Sequence, residues 1–238
     1  MKKIFFLLLV FLVCSSIPVH AGFFDDVMKQ LGVSRTGEPD ESTIISGLKE
    51  ALSIGTGNAV KNVSQVDGYF ANQAIKILMP ENIQKVADVL KKVGYQKQVD
   101  DFVLSMNRAA EKAAPKAASI FMDAIKEMTI EDARKILNGG NTAATDFFKR
   151  KTHDKIYTAF KPIISGSMDE VGVTRSYKKM MAQYESLPFV SKESVDLDHY
   201  VTNKAMDGLF YMVGQEEKKI RTDPAARVTD LLKTVFGK

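Results

Sequence analysis

Apolar residues recur at helical spacing along almost the whole chain. After Ser42, for example, Ile45, Leu48 and Leu52 are three or four positions apart, which places them on one face of an α-helix. The same spacing continues, with short polar connections, to the last residues of the chain. The pattern therefore predicts an all-α fold, a single compact multi-helix domain of about nine helices.

Local signals predict where several helices begin and end. Only the segment Ile75–Met79 alternates in a way that suits extended backbone. Thr129 and Asp132 predict a capping box, and Asp196 predicts the N-cap of a long helix that runs to about Arg221. Gly94 predicts a helix end and Pro162 a kink or an end. The pair Asp223-Pro224 predicts the start of a last helix.

The first 21 residues have the three parts of a secretory signal peptide. Lys2 and Lys3 precede the apolar run 4–13, and small residues follow before Gly22. We expect 1–21 to be a signal peptide, 22–39 a short N-terminal helix and linker, and 40–238 the helical domain. No later run approaches the ~20 apolar residues of a membrane helix. The sequence predicts an exported chain without a transmembrane segment in its mature part, periplasmic in a Gram-negative cell.

The composition excludes several kinds of chemistry. Cys14, the single cysteine, lies in the signal segment, so the mature chain is expected to be cysteine-free, without disulfides, thiolate metal sites or thiol catalysis. Without Lys2 and Lys3 the basic residues nearly balance the 29 acidic ones, so a nucleic-acid partner is not expected. His153 and His199 lie in no hydrolase motif, and Asp196 and Asp198 lack the spacing of a metal loop. We expect no metal and no cofactor.

Charged and amide side chains inside apolar helices are the candidate site residues. Arg108 and Glu111 are i,i+3 neighbours, and Glu217 and Arg221 are i,i+4 neighbours in the favourable order. We expect the corner at Glu217 and Arg221 to be buried against the helix of residues 107–111. Structural pairing or surface charge is the alternative to a ligand site. The full candidate binding set is Asn107, Arg108, Glu111, Glu217, Arg221, Arg227 and Asp230.

Nine short stretches of the chain carry a resemblance to a known family: 47–52, 67–69, 106–111, 128–133, 143–145, 207–210, 216–221, 223–227 and 229–232. They resemble the bacterial domain of unknown function 4197 family of exported helical proteins. The resemblance covers nearly all of residues 40–236 and implies an exported, mostly helical protein. It implies no activity and gives no residue a catalytic role.

Three classes of function stay open on the sequence. The first is a non-catalytic binding or interaction protein for a lipid-like or other apolar small molecule, or for an envelope protein partner; a contiguous apolar cavity favours it. The second is an enzyme that uses an Arg/Glu/Asp cluster, which an open cleft with convergent Arg108, Glu111 and Arg221 favours. The third is a structural or assembly factor of the cell envelope with no small ligand, which a large exposed apolar patch favours.

Overall fold

Helix α1 (Glu41–Val63) follows directly from the apolar spacing of its sequence. Its buried residues include Leu48, Leu52, Ala59 and Val63, which share one face because a helix turns once every 3.6 residues. The structure, a computed structural model, describes residues 40–170, 177–179, 181–182, 195–227, 229–230 and 233. The predicted signal peptide, residues 1–21, and the predicted helix and linker at 22–39 lie outside these residues.

Six further α-helices follow α1 along the described chain. A π turn, Lys91–Tyr95, joins α2 to α3, and one 3-10 turn, Ala114–Lys116, joins α3 to α4. Another 3-10 turn, Pro224–Ala226, follows the last helix. The six helices are α2 (Glu81–Leu90), α3 (Gln96–Ala113), α4 (Ala117–Lys126), α5 (Ile130–Leu137), α6 (Ala143–Glu170) and α7 (Leu197–Thr222).

The fold class is confirmed as all-helical in a single compact domain, but the predicted helix count is wrong. When α2 and α3 are counted as one kinked helix, the described residues form six helices instead of about nine. Gly94 has φ +94° and, together with Val93, leaves the helical conformation, so it ends one helical run and kinks the chain before α3, as predicted. After Asp223 the chain first forms a 3-10 turn. Asp230 and Lys233 are helical, and most of the rest of the predicted last helix lies outside the described residues, as does most of the predicted helix at 174–184.

The remaining local signals have mixed outcomes. Thr129 and Asp132 form the predicted capping box, and the Asp196 side chain accepts a hydrogen bond from the His199 N–H at the start of α7. Helix α6 continues past Pro162. Phe160 and Ile164 are fully buried on either side of that proline, so core packing outweighs the single hydrogen bond that proline removes. Residues 76–80 have no regular secondary structure.

Helices α6 and α7 form the centre of the domain. They pack along each other, α1 packs on α7, and α3 and α4 pack on α6. The aromatic centre of this core is Phe121, whose ring lies 5.1 Å from Phe148 and 6.1 Å from Phe210, both edge-on. In the described part of the chain, no helix has the length and apolarity needed to cross a membrane.

Candidate functional site

The side chain of Asn107 on α3 binds the backbone of Ile77, in the segment 76–80 that precedes α2. Its Oδ1 accepts from the Ile77 N–H, and its Nδ2 donates to the Ile77 carbonyl, both at 2.8 Å. The same Nδ2 also donates to the Val103 carbonyl one helical turn earlier. Asn107 is completely buried, so its side chain takes the place of a neighbouring strand for one residue of the segment.

Glu111 lies one turn further along α3 and binds the preceding loop. Its Oε1 accepts from the backbone N–H groups of Tyr69 and Phe70 at 3.0 and 3.2 Å. Its Oε2 accepts from Arg108 at 2.6 Å, and Arg108 also donates to Asp67 at 2.7 Å. Desolvation lowers the pKa of Arg108, but its hydrogen bonds to Glu111 and Asp67 and their charges outweigh it and raise the pKa.

Tyr69 ties the same loop to α7. Its hydroxyl donates to the Ala205 carbonyl at 2.6 Å, and burial, together with the charge of Glu111, raises the pKa of the phenol. Its ring lies against Gly208, where an added Cβ would come within 2.7 Å of the Tyr69 Cε1 atom. We call this arrangement of Asn107, Arg108, Glu111 and Tyr69 the loop clamp.

A second buried carboxylate, Glu217 on α7, caps the start of α6. Its two oxygens accept from the N–H groups of Ala144 and Thr145 at 2.9 Å, and the Thr145 hydroxyl donates to it at 2.8 Å. Arg221 donates to Glu217 and also to the Ile136 carbonyl in the last turn of α5, at 2.8 Å. Glu217 therefore fixes a helix start and Arg221 a helix end.

The C-terminal members of the candidate set have separate roles. Arg227 donates to the carbonyls of Ile220 and Arg221 at the end of α7. Asp230 is almost fully exposed and pairs with Lys233 at 3.1 Å. The corner of Glu217 and Arg221 is buried as expected, but its described partners belong to α5 and α6 and not to the helix of residues 107–111. That the seven residues of the candidate binding set bind a ligand stays a prediction.

The two histidines of the helical domain are held in hydrogen bonds with neighbouring side chains. His199 Nδ1 lies 2.9 Å from the Tyr157 hydroxyl, and His153 lies beside Asp154. Asp198 accepts from Ser165. Over the described ranges, no three His, Cys, Asp or Glu side chains are grouped so that they could hold a metal ion.

Two neighbouring cavities of about 430 and 420 Å³ open beside α7. They share Asp207 and Tyr211 in their lining. The loop clamp positions the segment 74–79 at one end, and the Glu217 cap positions residues 141–149 of α6 at the other. We call this surface the α7 groove. Along α7 it is lined by Tyr200, Lys204, Asp207, Gly208, Phe210, Tyr211, Gly214, Gln215 and Lys218.

The lining of the α7 groove is part aromatic and part cationic. Tyr211 is 46% exposed and Leu78 is 58% exposed. Lys204 lies over the Tyr200 ring and Lys149 over the Phe210 ring, each about 6.0 Å from the ring centroid. Burial and then the charge of Glu81 raise the pKa of the Tyr200 phenol, whose hydroxyl donates to the Leu78 carbonyl.

The family of this chain is shown by a match that covers most of its length. The family model described as "Protein of unknown function (DUF4197)" matches residues 38–237. The chain belongs to this family. A search of curated proteins and a search of solved structures gave no match. Two groups of the family-like stretches meet in space: 67–69 with 106–111 and 207–210 in the loop clamp, and 143–145 with 216–221 in the α6 cap.

None of the residues that line the α7 groove belongs to the candidate binding set predicted from the sequence. Tyr211 and Lys204 lie on the polar side of α7, where single aromatic and basic residues are common and carry no signal by themselves. Leu78 belongs to the predicted extended segment, but its exposure depends on the loop clamp. The one available signal was Gly208 within a long helix, which marks a close approach of another chain segment.

Proposed function

We propose that this DUF4197 chain is an exported, non-catalytic interaction protein that binds a linear segment of an envelope partner in the α7 groove. The observation that carries the proposal is that two open cavities are neighbours along α7: they share Asp207 and Tyr211 in their lining and together extend from Tyr200 to Lys218. The eighteen steps from Tyr200 to Lys218 rise about 1.5 Å each, which gives a length of about 27 Å. About eight extended residues span that length.

The shape of the cavities favours a linear segment over an enclosed small molecule. The two cavities are open to solvent and together follow α7 from Tyr200 to Lys218, a length that an extended chain segment matches better than a compact small molecule does. The apolar cavities between α1 and α7, near Leu48 and Gly55, have volumes of only about 20 Å³ each. A polypeptide that lies along the groove needs no enclosure, because its remaining surface stays with the partner protein.

The charge of the lining favours an acidic and apolar partner segment. Four lysines, Lys76, Lys149, Lys204 and Lys218, line the groove against the two acids Glu81 and Asp207. Charge complementarity of this kind contributes mainly to the rate of association and to specificity. The exposed Tyr211 and Leu78 supply apolar contact area, and tyrosine is enriched among residues that dominate binding energy.

The buried arginine and carboxylate pairs favour this reading over an enzyme. Both oxygens of Glu111 and both of Glu217 accept hydrogen bonds from backbone N–H groups, arginines or a hydroxyl. A general acid or base needs a proton-accepting position that faces a substrate. These carboxylates are instead directed at the ends and loops of their own fold.

Selection from a random peptide library tests the proposal. Twelve-residue peptides displayed on phage are selected on the purified chain and, in parallel, on the Lys204→Glu/Lys218→Glu variant. We expect peptides rich in Asp or Glu and in Leu, Phe or Tyr from the first selection and loss of that enrichment in the second. The same enrichment from both selections, or from neither, contradicts the proposal.

Export is tested by the intact mass of the protein recovered from the envelope fraction of the cells that naturally produce it. Cleavage before Gly22 leaves a chain that starts at residue 22 and carries no lipid. A mass that includes residues 1–21, or an adduct on Cys14, contradicts the assignment as an exported, cleaved chain.

A further inference from the structure

A second groove lies on the other side of the segment 76–79, between α2 and α3. Its volume is about 530 Å³, within the range of roughly 300–1,000 Å³ that small-molecule sites occupy. Val99 and Met79 are buried, 1% and 5% exposed, and form its apolar floor. Phe70, Leu78 and Val103 add apolar walls. We call this surface the α3 groove.

Two half-buried lysines distinguish the α3 groove from an ordinary surface depression. Lys76 and Lys91 both line it and are both partly withdrawn from solvent. Neither forms an ion pair with any carboxylate of the described residues, and Lys76 is held 4.0 Å from the centroid of the Phe70 ring. Because no carboxylate of the described residues pairs with either lysine, a ligand that brings a negative charge would complement this part of the lining.

The remaining polar lining is sparse. Asp100 accepts a hydrogen bond from Gln96 at 2.6 Å, and Gln84 donates to Asp88 at 3.2 Å. The groove thus lacks the array of donors and acceptors that a sugar or a nucleotide requires, and it suits a ligand with one charged end and an apolar body.

We propose that the α3 groove binds a single-chain fatty acid, with the carboxylate between Lys76 and Lys91 and the alkyl chain on Val99, Val103 and Met79. The site shares Lys76, Leu78 and Met79 with the α7 groove but does not depend on the proposed function there. Burial of each methylene contributes about 0.8 kcal/mol, and the lysines select the sign of the head group.

Displacement of a dansyl-labelled undecanoic acid from the purified chain tests this site. Dodecanoate should displace the probe, dodecanol should do so at least about tenfold more weakly, and dodecylammonium should not compete. Equal displacement by all three compounds, or no saturable binding of the probe, overturns the proposal.

Lys91 and Lys92 provide a matched pair of variants. Both lie in the same π turn, but only Lys91 lines the groove. Lys91→Glu should weaken dodecanoate binding about tenfold or more, and Lys91→Gln by less, whereas Lys92→Glu should stay within about twofold of the unchanged chain. Equal effects of Lys91→Glu and Lys92→Glu overturn the site. Peptide binding in the α7 groove should be unaffected by Lys91→Glu, which separates the two proposals.

Discussion

The side-chain amide of Asn107 pairs with both backbone polar groups of Ile77, at 2.8 Å in each case. One buried side chain on α3 thereby satisfies the backbone N–H and carbonyl of a residue thirty positions earlier in the chain. The segment 76–80 around Ile77 separates the α7 groove from the α3 groove, so both surfaces depend on this pairing. We expect that loss of the Asn107 side-chain amide alters both surfaces without unfolding α3.

Replacing Asn107 with alanine should destabilise the fold and loosen segment 76–80. Two buried backbone groups of Ile77 lose their partners, and each unsatisfied group costs about 1–3 kcal/mol. Chemical denaturation should show a loss of roughly 2–5 kcal/mol, and hydrogen exchange should accelerate at the Ile77 amide. Asn203→Ala is the control, since among the described residues the Asn203 amide bonds to His199, one turn earlier in its own helix. Equal losses in the two variants contradict the account.

Gly208→Ala should destabilise the chain through the Tyr69 ring. The added Cβ would lie 2.7 Å from Tyr69 Cε1 and 3.1 Å from Ile75 Cβ. Overpacking of this kind costs about 1–3 kcal/mol. Gly57→Ala on α1 is the control, because nothing lies within 4 Å of its added Cβ and alanine favours a helix by roughly 0.5–1 kcal/mol. Thermal denaturation should shift the two midpoints in opposite directions.

Arg221→Ala should cost about 2–3 kcal/mol of stability. Removing one partner of a buried ion pair costs ~3–5 kcal/mol when the other charge is left uncompensated. Glu217 keeps the hydrogen bonds from Ala144 and Thr145, which reduces the loss. The swap Glu217→Arg with Arg221→Glu should not restore stability, because it places a cation against the N–H groups that begin α6. Chemical denaturation of both variants checks this, and a loss below ~1 kcal/mol in each would place the pair among surface ion pairs.

The capping box of α5 should lose its contribution in acid. Desolvation raises the pKa of Asp132, but hydrogen bonds from the Thr129 hydroxyl and N–H, aided by Lys151 and Lys135, outweigh it and lower the pKa below 3.8. A lowered folded-state pKa means stability that is present above the unfolded pKa and lost as the pH falls through the folded one. The stability difference between the unchanged chain and Asp132→Asn should therefore shrink below about pH 4. A difference that stays constant down to pH 2 would contradict the assignment.

Local structure was largely readable from the sequence because its causes are local. The Thr129–Asp132 box, the Asp196 cap and the apolar faces of α1, α3 and α7 depend on residues within one or two turns of each other. The partners of Glu111 and Glu217 were not readable, since they lie 42 and 73 residues away. Spacing along a helix indicated that Arg108 is a neighbour of Glu111 and that Arg221 is a neighbour of Glu217. It gave no sign that these two carboxylates also bind backbone N–H groups of distant elements.

The grooves were not predictable for a related reason. Their lining combines exposed residues such as Lys204 and Tyr211 with buried ones such as Val99 and Phe210, and these meet only through the way the segment 74–79 is held. Of the nine stretches that resemble the family, five lie in the loop clamp and at the start of α6 capped by Glu217. Three of these five also contribute residues to the lining of the α7 groove.

Binding of a defined acidic peptide in the α7 groove tests the central claim most directly. The probe is a fluorescein-labelled octapeptide of alternating Glu and Leu, followed by anisotropy against the purified chain, with an alternating Lys and Leu octapeptide as the comparison. Lys149→Glu/Lys218→Glu tests the groove, and Lys116→Glu/Lys155→Glu, at exposed lysines that do not line it, is the control. We predict saturable, salt-sensitive binding of the acidic peptide alone, lost in the groove variant and kept in the control. Equal binding of both peptides, or an equal loss in both variants, would contradict the account.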